Sequence, residues 1–116
     1  MLPLYEISKA AEKDWDGIVR YTLEKFGNRQ VQEYTTSLLR CLDDLSQSKG
    51  QFKEMILSGH KVLIKRCQKH SIFALSQTNR PLLVLAIFHE QMDLMKRLTV
   101  IKRKVEKRLN GRLMDL

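Results

Sequence analysis

The residues best suited to chemistry in this sequence are two cations and two histidines. Lys65, Arg66 and His70 fall close together, and His89 follows after an apolar run. Cleaving RNA takes a base for the 2′-hydroxyl, an acid for the leaving oxygen and cations on the phosphate, so these residue types fit a ribonuclease. The set is thin. Alternation along a strand puts Arg66 on the face of Val62 and Ile64 and Lys65 on the other, and no Tyr or Arg joins them from the last strand. His89 equally suits a structural side chain pinning a strand to the helix begun after Asp93, and His70 suits the cap of a hairpin. His60, His70 and His89 lack metal-ligand spacing, so neither a metal nor a cofactor is expected. Asp43 and Asp44 are adjacent on a helical stretch and point in different directions, which suits solvated carboxylates better than an acid–base pair. Cys41 and Cys67 match no metal or thioredoxin spacing and read as reduced, structural thiols.

The elements that must position these groups follow from hydrophobic periodicity. Tyr5 and Ile7 suit a short opening strand. Ala11, Trp15, Ile18, Val19, Thr22 and Phe26 then recur at three- and four-residue steps, one apolar stripe on an amphipathic helix. Ser8 is placed to cap its start and Gly27 to end it. Asn28 is expected to cap a second helix, striped by Val31, Tyr34, Leu38, Cys41, Leu42 and Leu45, which ends in the polar stretch 46–50. The tight turn between the two helices makes an antiparallel hairpin. After an irregular stretch from Phe52 to Gly59, residues 61–67 and 71–76 read as strands joined near Gln68 and Lys69. Leu82 to Phe88 is apolar throughout, as in a strand covered on both faces. Leu94, Leu98, Ile101, Val105 and Leu109 stripe a last helix, from about residue 94 to 110. Met55, Met92 and Met95 read as core or groove filler. The expected fold is α+β: an N-terminal helical hairpin packed on a small antiparallel sheet of three or four strands, with a basic C-terminal helix.

Charge singles out that last helix. The chain of 116 residues carries a net charge of +8, and residues 96–112 hold eight basic side chains against Glu106 alone, or +7. Such a segment points to an anionic partner: nucleic acid, an acidic protein or a membrane surface. The length suits a single domain over residues 1–116. No apolar run reaches transmembrane length, and the opening MLPLYEISKA lacks the pattern of a secretory signal, so a cytoplasmic protein is expected.

Three segments in order carry a family resemblance. Asp14 to Thr22 followed by Phe26-Gly27 is similar to a D-x-x-x-I-x-x-Y-x(4)-F/W-G helix. Gln30 to Leu42 places Tyr34 and Leu38-Leu39 as in the helix after it. Lys69-His70-Ser71-Ile72-Phe73 and Ile87-Phe88-His89-Glu90-Gln91-Met92-Asp93 resemble R-H-x-I-F-Y and R-I-L-H-x-x-M-D. Over about residues 5–98 the chain thus resembles the RelE/ParE superfamily, nearer its ParE branch. Ala74 and Ala86 depart from the pattern, standing where Tyr and Arg are usual.

The resemblance implies a toxin neutralised by a cognate antitoxin in a hetero-oligomer, acting on DNA gyrase through protein contacts and catalysing nothing. Leu94, Leu98, Ile101, Lys102, Arg103, Lys104, Lys107 and Arg108 are the expected partner-binding residues, with nucleic-acid phosphate an alternative contact and no membrane role. Trp15, Tyr21, Phe26, Gly27, Phe73, His89 and Asp93 are expected to be structural. One alternative is a ribosome-dependent mRNA interferase of RelE type, using Lys65, Arg66, His70 and His89. A second is a non-toxic relative that only binds an antitoxin-like protein.

Overall fold

The computed structural model describes residues 4–114, apart from the side chains of Leu94 and of residues 108–114. Its elements in order are β1 (Tyr5–Ile7), α1 (Lys9–Phe26), α2 (Asn28–Ser46), β2 (Lys53–Leu57), β3 (His60–Cys67), β4 (His70–Leu75), β5 (Leu82–His89) and α3 (Leu94–Met114).

Ser8 opens α1 as expected, its Oγ accepting the Ala11 N–H at 3.1 Å. Gly27 ends it with a φ of +86°, a value costly for any residue with a Cβ. Gly27 is also the residue preceding α2, while Asn28 is already the first residue of that helix and makes no capping bond. The expected Asn28 cap is therefore corrected. One residue reverses the chain, which leaves no separate position for a cap.

The sheet has five strands in the order β1-β5-β4-β3-β2. Strands β2 to β5 form an antiparallel meander, whereas β1 pairs parallel to β5 from Tyr5↔Leu82 to Ile7↔Val84. The expected antiparallel sheet of three or four strands is thus corrected to a mixed sheet of five. Strand β2 falls in the stretch read as irregular, because Lys53-Glu54 followed by Met55-Ile56-Leu57 shows no alternation of residue type, although Met55 and Leu57 are half-buried and Ile56 is exposed. It is held by pairing with β3 across a two-residue turn, where Ser58 and Gly59 both take positive φ, as hairpin turns of this length favour.

Both faces of the sheet are covered. Leu38, Leu42 and Leu45 of α2 pack with Leu63, Ile72, Val84 and Ile87 on one face. Ile101 and Val105 of α3 pack with Val62, Phe73, Leu85 and Phe88 on the other. This explains the unbroken apolar run of β5, and each such fully buried side chain contributes ~1.5–3 kcal/mol. Phe73 is core, as expected, with its ring 5.6 Å from that of Phe88. Trp15 is half-buried against the hairpin-side core. Tyr21 and Phe26 depart from a core role, being 58% and 64% exposed, because the last turns of α1 overhang the sheet.

Cys41 of α2 and Cys67 of β3 form a disulfide, with a Cα–Cα separation of 6.2 Å. The reading of both as reduced thiols is overturned. Their spacing gave no sign of pairing, which arises only when α2 lies across the end of β3.

Candidate functional site

The end of β5 and the start of β4 meet beneath the helical hairpin, and the two candidate histidines meet there. His70 and His89 are register partners, and their rings stand 5.1 Å apart, edge to face. Tyr34 on α2 completes the cluster. Its ring lies 5.4 Å from that of His70, and its hydroxyl hydrogen-bonds His70 Nδ1. The sequence placed Tyr34 in a helical stripe and in the family pattern of the second helix; no local signal connects it with a histidine 36 positions away.

The hydrogen bonds fix what these groups can do. The Tyr34 hydroxyl and His70 Nδ1 share a hydrogen bond, and the Gln91 N–H donates to His89 Nδ1 at 3.1 Å. With its Nδ1 accepting, His89 carries its ring N–H on Nε2. Burial, reinforced by His89 and opposed by Glu90, holds His70 down to about 4. Burial, helped by Glu90, pushes the Tyr34 phenol up to about 12. At neutral pH Tyr34 and His70 are therefore an un-ionised phenol hydrogen-bonded to a neutral imidazole, with His70 Nδ1 already engaged.

The cations do not join it. Lys65 is buried on the hairpin side, where its Nζ donates to the Gln51 carbonyl at 3.0 Å. Arg66, on the opposite face as alternation required, pairs with Glu90 and donates from Nε to the Gln68 carbonyl at 3.2 Å. The four residues of the ribonuclease alternative thus separate into a histidine pair and two cations engaged elsewhere.

Around the histidines lies a groove of about 840 Å³. Lys13, Gly17, Tyr21 and Phe26 of α1 wall one side, Tyr34 closes the top, and His70, Ile87 and His89 line the floor. The exposed rings of Tyr21 and Phe26 give it an apolar rim, while Lys13 and Lys69 bring positive charge. A strip this apolar at a concave surface is the usual setting for recognition of another molecule.

Helix α3 is docked by its own contacts. Asp93 caps it, its Oδ1 accepting the N–H groups of Met95 and Lys96 at 2.8 and 3.2 Å. The pin between β5 and α3 is Arg97, whose guanidinium donates to the carbonyls of His89, at 2.8 Å, and Glu90. The His89 side chain itself bonds only the loop that follows it and stacks on His70. Among the expected partner-binding residues, Lys102, Arg103 and Lys107 are exposed and Leu98 is half-buried. Ile101 is wholly buried against the sheet. Lys104 turns inward, donating to the Leu85 carbonyl at 2.8 Å with its Nζ 5.5 Å from the Phe88 ring centre. Burial lowers its pKa, against an opposing pull from Asp14. Ile101 and Lys104 are thereby corrected from partner-facing to inward-facing. The helical period set them toward the sheet, and the long lysine stem let the ammonium reach a strand carbonyl. The side chains of Leu94 and Arg108 lie outside the described residues.

Fold and groove together define a small α+β scaffold of the RelE/ParE kind. The family model for the ParE toxin of type II toxin-antitoxin system, parDE, matches residues 5–94. A curated relative, Toxin ParE of Escherichia coli, is 39% identical over 94 residues, spanning 81% of this chain and 91% of that protein. The chain belongs to the ParE toxin family of type II toxin–antitoxin systems. The match ends where α3 begins, so the basic helix lies almost wholly beyond it. Among the described residues, no helix is long and apolar enough to cross a membrane.

Proposed function

We propose that the chain is a single-domain toxin restrained by a cognate antitoxin, and that it halts replication by binding DNA gyrase in the cytoplasm. The observation that carries this reading is the chemistry of the groove. Both imidazoles have Nδ1 engaged in a hydrogen bond within the protein, and the exposed rings of Tyr21 and Phe26 give the groove an apolar rim. Such a surface grips a polypeptide. The antitoxin occupies the groove through an apolar segment bearing acidic side chains, and the exposed Lys102, Arg103 and Lys107 of α3 meet the phosphates of gyrase-bound DNA.

An mRNA interferase finds less support in the site. Lys65 is buried against Gln51, Arg66 is neutralised by Glu90, and Ala74 and Ala86 bring no polar group to the strands. Expression of the chain alone, without the neighbouring reading frame, distinguishes the outcomes. Filamentation with a DNA-damage response is expected. Rapid translation arrest with cut mRNA would move the assignment to a nuclease, and normal growth would leave a binding protein without toxicity.

A further inference from the structure

The outer edge of β5 is covered partly by strand β1 and partly by the side chains of Ser8, Asp14, Arg97 and Lys104, which leave a gap between them. Strand β1 pairs with β5 only as far as Val84, whose carbonyl accepts the Ser8 N–H at 3.1 Å. There the chain turns away into α1. The register shift opposite Phe73 and Ala74 then turns Leu85, Ile87 and His89 outward, while Ala86 and Phe88 stay paired with β4. The Leu85 carbonyl accepts Lys104 Nζ at 2.8 Å and Ser8 Oγ at 3.4 Å. The Ile87 N–H donates to Asp14 Oδ2 at 3.0 Å, and the His89 carbonyl accepts the Arg97 guanidinium at 2.8 Å. An outward-facing residue turns its N–H and C=O to the same side. The Ile87 carbonyl and the His89 N–H therefore turn to the same outer edge, beyond Val84 where the pairing with β1 ends, in two residues that line the groove.

Those two groups are of complementary kind and two residues apart. In a parallel pair, one incoming residue donates to the carbonyl before its opposite number and accepts from the N–H after it. In an antiparallel pair the two groups belong to one residue, which Asp14 on Ile87 and Arg97 on His89 already forbid. We propose that the Ile87 carbonyl and His89 N–H form a strand-addition slot that takes one residue of an extended antitoxin segment, running parallel to β5 in continuation of β1. The proposal rests on the antitoxin reading above and names where and in which direction that partner enters. The groove beside the slot sets the segment's chemistry. Lys13 and Lys69 favour an acidic side chain, the Nε2–H of His89 favours a carboxylate or carbonyl acceptor, and Tyr21 and Phe26 favour an apolar neighbour.

Amide hydrogen exchange followed by NMR tests this on the full chain, alone and co-purified with the polypeptide encoded by the adjoining reading frame. The His89 amide is expected to slow on the order of 100-fold in the complex, while the Ile87 amide, already held by Asp14, changes little. A complex that forms and leaves His89 exchange unchanged would overturn the slot while the antitoxin reading survives. Failure of either adjoining frame's product to bind would overturn both. Slowed His89 exchange in the chain alone, with a dimer by light scattering, would assign the slot to a second copy and overturn the antitoxin as occupant. Gly17 lines the groove from α1 and a Cβ there meets nothing within 4 Å, so Gly17→Phe directs added bulk at the groove. It is expected to weaken the complex at least about 10-fold with a melting midpoint no lower than the parent's, as loss of a helix-interior glycine favours. Unaltered affinity in that folded variant would also overturn the slot.

Discussion

Asp14, on the second turn of α1, does the work of a missing strand for Ile87, its Oδ2 accepting the buried backbone N–H at 3.0 Å. Strand β1 is too short to reach that far, so an edge that would otherwise leave a donor unpaired is closed by a side chain. Helix α1 is thereby tied to the sheet at the floor of the groove.

Replacing Asp14 tests that tie. Asp14→Ala leaves the Ile87 N–H buried without an acceptor, and a loss of about 1–3 kcal/mol in urea unfolding is expected. Asp14→Asn keeps an acceptor oxygen and is expected to retain most of the stability. Equal losses in the two variants would show that the carboxylate acts through its charge instead.

The cations of α3 separate into two kinds. Lys104→Gln removes a charged donor from the Leu85 carbonyl and a cation from the Phe88 ring, and about 1–2 kcal/mol of stability with it. The triple replacement of Lys102, Arg103 and Lys107 by alanine is expected to leave each site within about 0.5 kcal/mol of neutral. That triple variant instead reduces the salt dependence of binding to DNA-bound gyrase, by a slope of about one per lost phosphate contact. Thermal melts and salt titrations of both variants check the division.

His70 makes stability depend on pH in a definite direction. Its pKa is lowered from 6.5 to about 4 in the folded chain, so the unfolded chain binds the extra proton first. The folded state therefore keeps its full stability above about 6.5 and loses it progressively as the pH falls toward about 4. His70→Gln cannot take up that proton. Denaturant midpoints measured from pH 7 to pH 4 are expected to fall less steeply in the variant than in the parent, and parallel curves would remove His70 as the cause.

The Cys41–Cys67 bond closes a loop over a sequence separation of 26 residues between α2 and β3. By loop-closure entropy it contributes about 3.5 kcal/mol. Thermal unfolding with and without a thiol reductant is expected to show a lower midpoint in the reduced protein. Because the bond lies one hairpin turn from His70, reduction is also expected to loosen the Tyr34–His70 contact, visible as a shift of the His70 ring resonances.

Much of the architecture was legible because its causes are local. The stripes of α1, α2 and α3 follow from the helical period, Ser8 and Gly27 mark the ends of α1 by their own chemistry, and the apolar run of β5 announces burial on both faces. The alternation of β3 placed Lys65 and Arg66 on opposite faces correctly. The family pattern was carried by the same segments, which is why the ParE branch could be named from them.

What tertiary structure alone decided are relations between residues far apart in the chain. The pairing of β1 with β5, the Cys41–Cys67 bond, the inward turn of Lys104 and the meeting of Tyr34 with His70 have no periodic signature. Each depends on where two separate elements come to lie once their apolar faces are buried together, and a sequence encodes that placement only through the packing of the whole.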